Sequence, residues 1–337
     1  MKILYVEDEL SKNITGIIRL FEKYLGKKRI RRLKALEEDE SGYEANPDEI
    51  IDIVEETNLV EVEYRFPDAL HKVICQHEKY ALLIVDRNLA EYEAYDFEEV
   101  MEIDSAFTDS QYERFFEREG DYLLHKLVYE TDVMSRFYLL TGNSIYSDPI
   151  RGYDDISTLI DFGKFSEKNF FEKGNEAELQ KLIENVPILN LQNENKYYLN
   201  ILKKHIDDKA AELFLEVLHS QDDAKRIRDN LNRIRIIYEN ILEVCSDVIP
   251  DMKRECGSQK GGNTILWLKD RELIDDVILR NFLFSIRKIA NEFGGHKPYP
   301  YNPICEPTPD TVRALVYALK DVIRWFGRIC SKYPAGD

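Results

Sequence analysis

The sequence has few cysteines for its length. Five stand among 337 residues, at 75, 245, 256, 305 and 330, and no two are spaced as a CxxC pair. That pattern supplies neither a zinc-binding knuckle nor a disulfide framework. No apolar run approaches the roughly 20 residues a membrane span needs, and the opening MKILYVEDE lacks the basic start and long apolar stretch of a signal peptide. These absences predict a reduced, cytoplasmic protein with no membrane partner. Basic excess is missing as well, since the formal net charge is −18. The imbalance lies in residues 1–194, with 43 acids against 23 bases, whereas residues 195–337 hold 21 against 23. A large phosphate-backbone surface on the first part is thereby excluded, and DNA is not favoured for the second. The glycines of CGSQKGGNT, Cys256 to Thr264, do not have P-loop spacing and read as a flexible turn.

What is present is ample apolar material, 44% hydrophobic with 11% aromatic, arranged in two different rhythms. The charge step and the polar run Leu191 to Lys196 place a domain boundary there, giving an N-terminal domain over 1–190 and a helical domain over 196–337. In the first, Lys2 to Val6 reads as a strand, and Ile14, Ile17, Ile18, Phe21 and Leu25 recur at helical spacing before Gly26, a plausible terminator. Strands follow at Leu59 to Tyr64, Ala81 to Asp86, Arg136 to Gly142 and Asn169 to Lys173. Helices are predicted at Pro67 to Cys75, Tyr122 to Thr131, around Asp154 to Phe165, and at Asn175 to Ile183. Alternating strands and helices imply a doubly wound, five-stranded parallel α/β sheet covered on both faces. Two stretches break the rhythm and read as insertions, one near 27–57 and one near 90–119. The second lies in an acid-rich run, Glu91 to Asp121, with twelve acids against Arg114 and Arg118, and reads as a solvated surface excursion.

Sites in such sheets lie at the carboxyl ends of the strands. Here those ends carry Glu7 and Asp8, then Asp86, then Thr141, with Lys173 closing the fifth strand. Carboxylates gathered in one crevice repel unless a cation sits among them. A hard divalent ion, Mg2+ before others, suits a few carboxylates plus water and a phosphoryl oxygen. Asp86 would then serve as a nucleophile toward phosphorus, with the Lys173 ammonium and the Thr141 hydroxyl offsetting phosphoryl charge.

KILYVEDE, LLIVDRNL, FYLLTGNS and NFFEKGNEAEL, in that order and context, resemble the receiver domain of bacterial two-component response regulators over residues 1 to about 186. The resemblance implies that Asp86 is the phosphoacceptor. It also implies that Glu7, Asp8, Asp86 and the backbone carbonyl of Asn88 hold Mg2+, and that Thr141 is the switch hydroxyl, Phe170 the switch aromatic and Lys173 the phosphate-contacting base. Its expected partner is a sensor histidine kinase or phosphotransfer protein. The chain departs from the pattern in its two insertions and in Gly174, which stands where a proline usually follows the lysine. His71, His77 and His125 carry no partner pattern.

The second half is helical in rhythm. Leu231, Ile234, Tyr238, Ile241, Cys245 and Val248 make one stripe, and Ile278, Phe282, Ile286, Ile289 and Phe293 a second. Val312, Leu315, Val316, Leu319, Ile323 and Phe326 make a third, led by the cap Thr308-Pro309. A helical bundle follows. IRKIANEFGGH, with the earlier AKRIRDNLNRIRIIYENILEV, resembles HEPN-type helical domains. That resemblance makes Arg287, Asn291 and His296 ribonuclease candidates, although Ala290 occupies the usual arginine position. It also implies a homodimer through the helical domain and RNA as a partner. The leading expectation is a response regulator whose phosphorylation on Asp86 controls the helical domain. The alternatives are a receiver-regulated ribonuclease or RNA-binding protein, and a constitutive scaffold with a non-switching receiver.

Overall fold

A computed structural model describes residues 1–38, 46–90, 95–127, 136–142, 169–256, 262–274, 277–294 and 306–334. It divides into two compact units, Met1–Asn190 and Leu191–Asp337. The first unit is built on strands β1 (Lys2–Val6), β2 (Val60–Glu63), β3 (Tyr80–Asp86), β4 (Phe137–Thr141) and β5 (Phe170–Glu172). They form one parallel sheet in the order β2-β1-β3-β4-β5. β3 is central, and all seven of its residues are buried. Successive strand residues face opposite sides, so each face of the sheet has its own core. Leu83 and Val85 join Leu4, Val6, Phe137 and Leu139 on one face, while Leu82 and Ile84 join Ile3, Tyr5, Val62 and Leu140 on the other.

Helices α1 (Ile14–Glu37) and α2 (Pro47–Glu55) belong to the second of these faces, with Ile17, Phe21, Ile50 and Val54 in its core. The insertion expected near 27–57 is therefore largely helical. Gly26 takes φ +69° and kinks α1 without ending it, because Leu33, with Ile30 and Leu36 beside it, continues the apolar stripe onto the core. Asn46 caps α2, its side chain accepting from the Asp48 amide.

On the opposite face lie α3 (Phe66–Gln76), α4 (Phe97–Ile103), α5 (Asp109–Phe115) and α6 (Glu119–Lys126). The acid-rich stretch is not a solvated excursion. Val100, Phe107, Phe115 and Tyr122 are buried in the sheet's core, and the ring of Phe107 stands 5.8 Å from Phe66 and 4.8 Å from Tyr122. Among the described residues, its acids are on the surface or have partners, as Asp104 does with Tyr122 Oη at 2.6 Å and Lys126 Nζ at 2.7 Å. The helix predicted at Tyr122 to Thr131 starts earlier, at Glu119, and residues 128–135 and the Asp154 to Phe165 helix lie outside the described residues. α7 (Ala177–Glu184) and α8 (Pro187–Glu194) follow β5.

One edge interaction yields a pH prediction. Glu61 on β2 accepts from Lys2 Nζ at 2.9 Å and Tyr80 Oη at 3.0 Å, and pairs with Lys72 Nζ at 2.6 Å. Partial burial pushes its pKa up, but the two lysines overrule this and pull it down to about 2. A carboxyl depressed in the fold stabilises above its unfolded pKa and loses that contribution as pH falls through the folded one. Wild type should therefore be more stable than Glu61→Gln near neutrality by about 1–2 kcal/mol, after allowance for solvent screening. The gap should close between about pH 4.5 and pH 2 in paired melts.

The second unit contains α9 (Lys196–His205), α10 (Asp208–Ser220), α11 (Ile227–Val248), α12 (Met252–Cys256), α13 (Gly262–Asp270), α14 (Val277–Gly294) and α15 (Pro309–Lys332). α11 packs against α10, α14 and α15, and the third predicted stripe is buried throughout. Thr308 and Thr311 close a capping box at its start. The stripe on α14 is rotated from expectation, since Leu283, Ile286, Ala290 and Gly294 are buried while Ile278 is 58% exposed. Small residues decide this. A Cβ on Gly294 would fall 2.7 Å from Asn232 N and 2.8 Å from the Leu231 carbonyl carbon, so the two backbones meet where only glycine fits. No helix among the described residues is long and apolar enough to cross a membrane.

Candidate functional site

β1, β3 and β4 end together at one edge of the sheet, and their terminal residues form a crevice. Glu7 and Asp8 follow β1, Asp86 ends β3, and all three are buried. A ligand atom from each lies within 4.8 Å of the others. From beyond β5, Lys173 reaches into the same space, where Nζ donates to Glu7 Oε1 at 2.8 Å and also contacts Asp86 Oδ2. The Lys173 amide donates to the Thr141 carbonyl at 2.8 Å, and the lysine stem passes Gly142. Gly174 has φ +92°. A proline, locked near −65°, cannot take that turn, which accounts for the departure noted in the sequence.

Glu7 is held on several sides. Its Oε1 accepts from Asn13 Nδ2 at 2.9 Å and from the Glu9 amide at 3.3 Å, and its Oε2 accepts from Tyr5 Oη at 3.3 Å. Asp86 Oδ1 accepts from the Arg87 amide at 2.6 Å. Burial raises the Asp86 pKa, and the Glu7 charge adds to the rise against the opposing pull of Lys173. Burial alone would lower the Lys173 pKa, but Glu7 and Asp86 overrule it and hold the ammonium charged. Tyr5 is kept a neutral donor by burial and by the same two carboxylates.

Thr141 is buried one residue past the Asp86-Leu140 register pair. Phe170, half-buried, packs on the core that contains Leu83 and Val85. Asn88 is half-buried, and its side chain accepts from the Ala90 amide at 3.1 Å. In the helical unit, Arg287 is half-buried beside Tyr238, Asn291 is exposed one turn on, and His296 lies outside the described residues. Sequence reasoning missed Tyr5 and Asn13, which position Glu7. It also missed Arg87, Glu119, Gly120 and Asp121, which surround the backbone after Asp86. The only signal for the latter was a charged residue directly after the strand's terminal acid.

An all-oxygen set of three carboxylates in one crevice fits a hard divalent cation, which would also relieve their mutual repulsion. No protein-family model, curated protein or solved structure matches the chain.

Proposed function

We propose that residues 1–190 form a receiver-type phosphoacceptor module and that the chain is a response regulator whose helical unit delivers the output. The carrying observation is the convergence of Glu7, Asp8, Asp86 and Lys173 at the carboxyl edge of a parallel sheet of order β2-β1-β3-β4-β5. A cytoplasmic phosphohistidine on a kinase or phosphotransfer protein is the fitting donor. An Asp86 carboxylate oxygen attacks phosphorus, the donor P–N bond breaks, and the imidazole leaves with its bonding pair. Lys173 Nζ, which contacts Asp86, would meet a phosphoryl oxygen, and the hydroxyl of Thr141, the buried last residue of β4, would donate to another. Glu7, Asp8 and Asp86 would hold Mg2+, which when bound supplies positive charge for the developing phosphoryl oxygens. The acyl phosphate adds roughly −1.5 to −2 of charge, and Thr141 and Phe170 are the groups that would respond.

The test is acetyl phosphate with Mg2+, read by intact-protein mass spectrometry. Wild type should gain one phosphoryl group, lost on hydroxylamine treatment, while Asp86→Asn should gain none. An unmodified wild type, or an Asp86→Asn variant modified to the same extent, would overturn the reading.

A further inference from the structure

The residue after Asp86 is a buried arginine, 3% exposed, and its partner Asp121 is 1% exposed. Arg87 Nε lies 3.0 and 3.1 Å from the two Asp121 oxygens, and Nη2 lies 2.8 Å from Oδ2. Arg118 Nε reaches the same Oδ2 at 2.9 Å. The backbone is gripped alongside. Gly120 N donates to the Arg87 carbonyl at 3.0 Å, and Leu89 N donates to Glu119 Oε2 at 3.1 Å. Glu119 is itself buried, with Oε1 accepting from Tyr95 Oη at 3.2 Å and the Glu117 amide at 3.1 Å. A Cβ at Gly120 would fall 2.2 Å from the Asp86 carbonyl oxygen. The first turn of α6 therefore rests directly on the peptide that carries the candidate nucleophile.

A buried ion pair is a poor source of net stability, since apolar groups of similar volume often do as well. What a two-pronged guanidinium-carboxylate contact supplies is direction. The Arg87 amide extends the ladder by donating to the Leu140 carbonyl at 3.3 Å. Neighbouring residues on an extended chain point to opposite sides, so anchoring Arg87 on the α6 side fixes the rotation of Asp86 on the other.

We propose that Arg87 and Asp121, seated through Gly120, are positioning residues that set the Asp86 carboxylate for attack on phosphorus; the inference rests on the phosphoacceptor reading above. Full-length Arg87→Lys and Asp121→Asn are compared with wild type for the initial rate of acetyl phosphate modification at saturating Mg2+. Mn2+ affinity is measured by calorimetry, with circular dichroism confirming the fold at the assay temperature. The modification rate should fall roughly tenfold or more, as misplaced reacting groups do, while Mn2+ affinity falls by clearly less, because Glu7 and Asp8, two of the three carboxylates of the cluster, are untouched. Should either variant melt below the assay temperature, all three proteins are compared at a temperature below the lower melt, with the same outcomes read. Folded variants with the wild-type rate, or with a rate that falls no further than the Mn2+ affinity does, would overturn the positioning role alone. A wild type that is never modified would instead bring down the phosphoacceptor reading beneath it.

Discussion

Replacing Lys173 with methionine is expected to cost the metal-free protein on the order of 3–5 kcal/mol, the usual penalty for stripping one partner from a buried ionic cluster. Lys173 is only 15% exposed at its side chain and touches both Glu7 and Asp86. Without it, two buried carboxylates face each other, and one must take a proton or the strand ends must part. Two consequences separate this from general damage. Mg2+ should stabilise Lys173→Met more than wild type, because the ion then supplies the missing positive charge. The double variant Lys173→Met/Asp86→Asn should be more stable in EDTA than Lys173→Met alone, since one of the repelling charges has gone. The chain has two units, so a single melt mixes their transitions. Amide exchange in peptides from β1 and β3 reports on this unit. If single and double variants exchange alike and neither responds to Mg2+, the crevice is open to water and its carboxylates do not interact.

The strands were legible because a buried parallel strand is a short, continuous apolar run, and LLIVD leaves little room for another reading. The gathering of Glu7, Asp8, Asp86 and Lys173 was legible because each is a polar residue placed abruptly at the end of a strand. The stretches at 27–37 and 97–121 misled for one physical reason. Charged runs were read as breaks in the strand-helix rhythm, and the second as solvated, whereas a helix needs apolar residues on only one side. Leu33 in the first, and Val100, Phe107 and Phe115 in the second, are sparse along the chain yet fall on the inward face. The pairing of Arg87 with Asp121 spans 34 residues, and no local spacing announces it. On α14, apolar size was mistaken for burial. Ala290 and Gly294 are inside because they are small, and close approach to α11 excludes bulk from that line.

Phe107→Ala should destabilise the first unit by about 3–5 kcal/mol, as truncation of a fully buried aromatic does. A residue in a solvated excursion would tolerate the change, within about 0.5 kcal/mol. Phe107 is 1% exposed and makes ring contacts with Phe66, Tyr95, Phe97, Tyr112 and Tyr122. It thereby joins α3, the α4-α5 stretch and α6 across one sheet face. The neighbouring Phe116, 50% exposed, is the internal control, and its alanine variant should lose less than about 1 kcal/mol. Amide exchange should locate the damage. Peptides from α6 and from the segment after Asp86 should exchange faster in Phe107→Ala, because Gly120 and Asp121 hold that segment only while α6 is seated. Protection of β2, covered on its other face by α2, should change least. Equal effects from the two phenylalanines would mean that the layer over β3 lies loosely on the sheet. A firm layer makes the aromatic packing of residues 95–126 and the aim of the Asp86 carboxylate parts of the same rigid body.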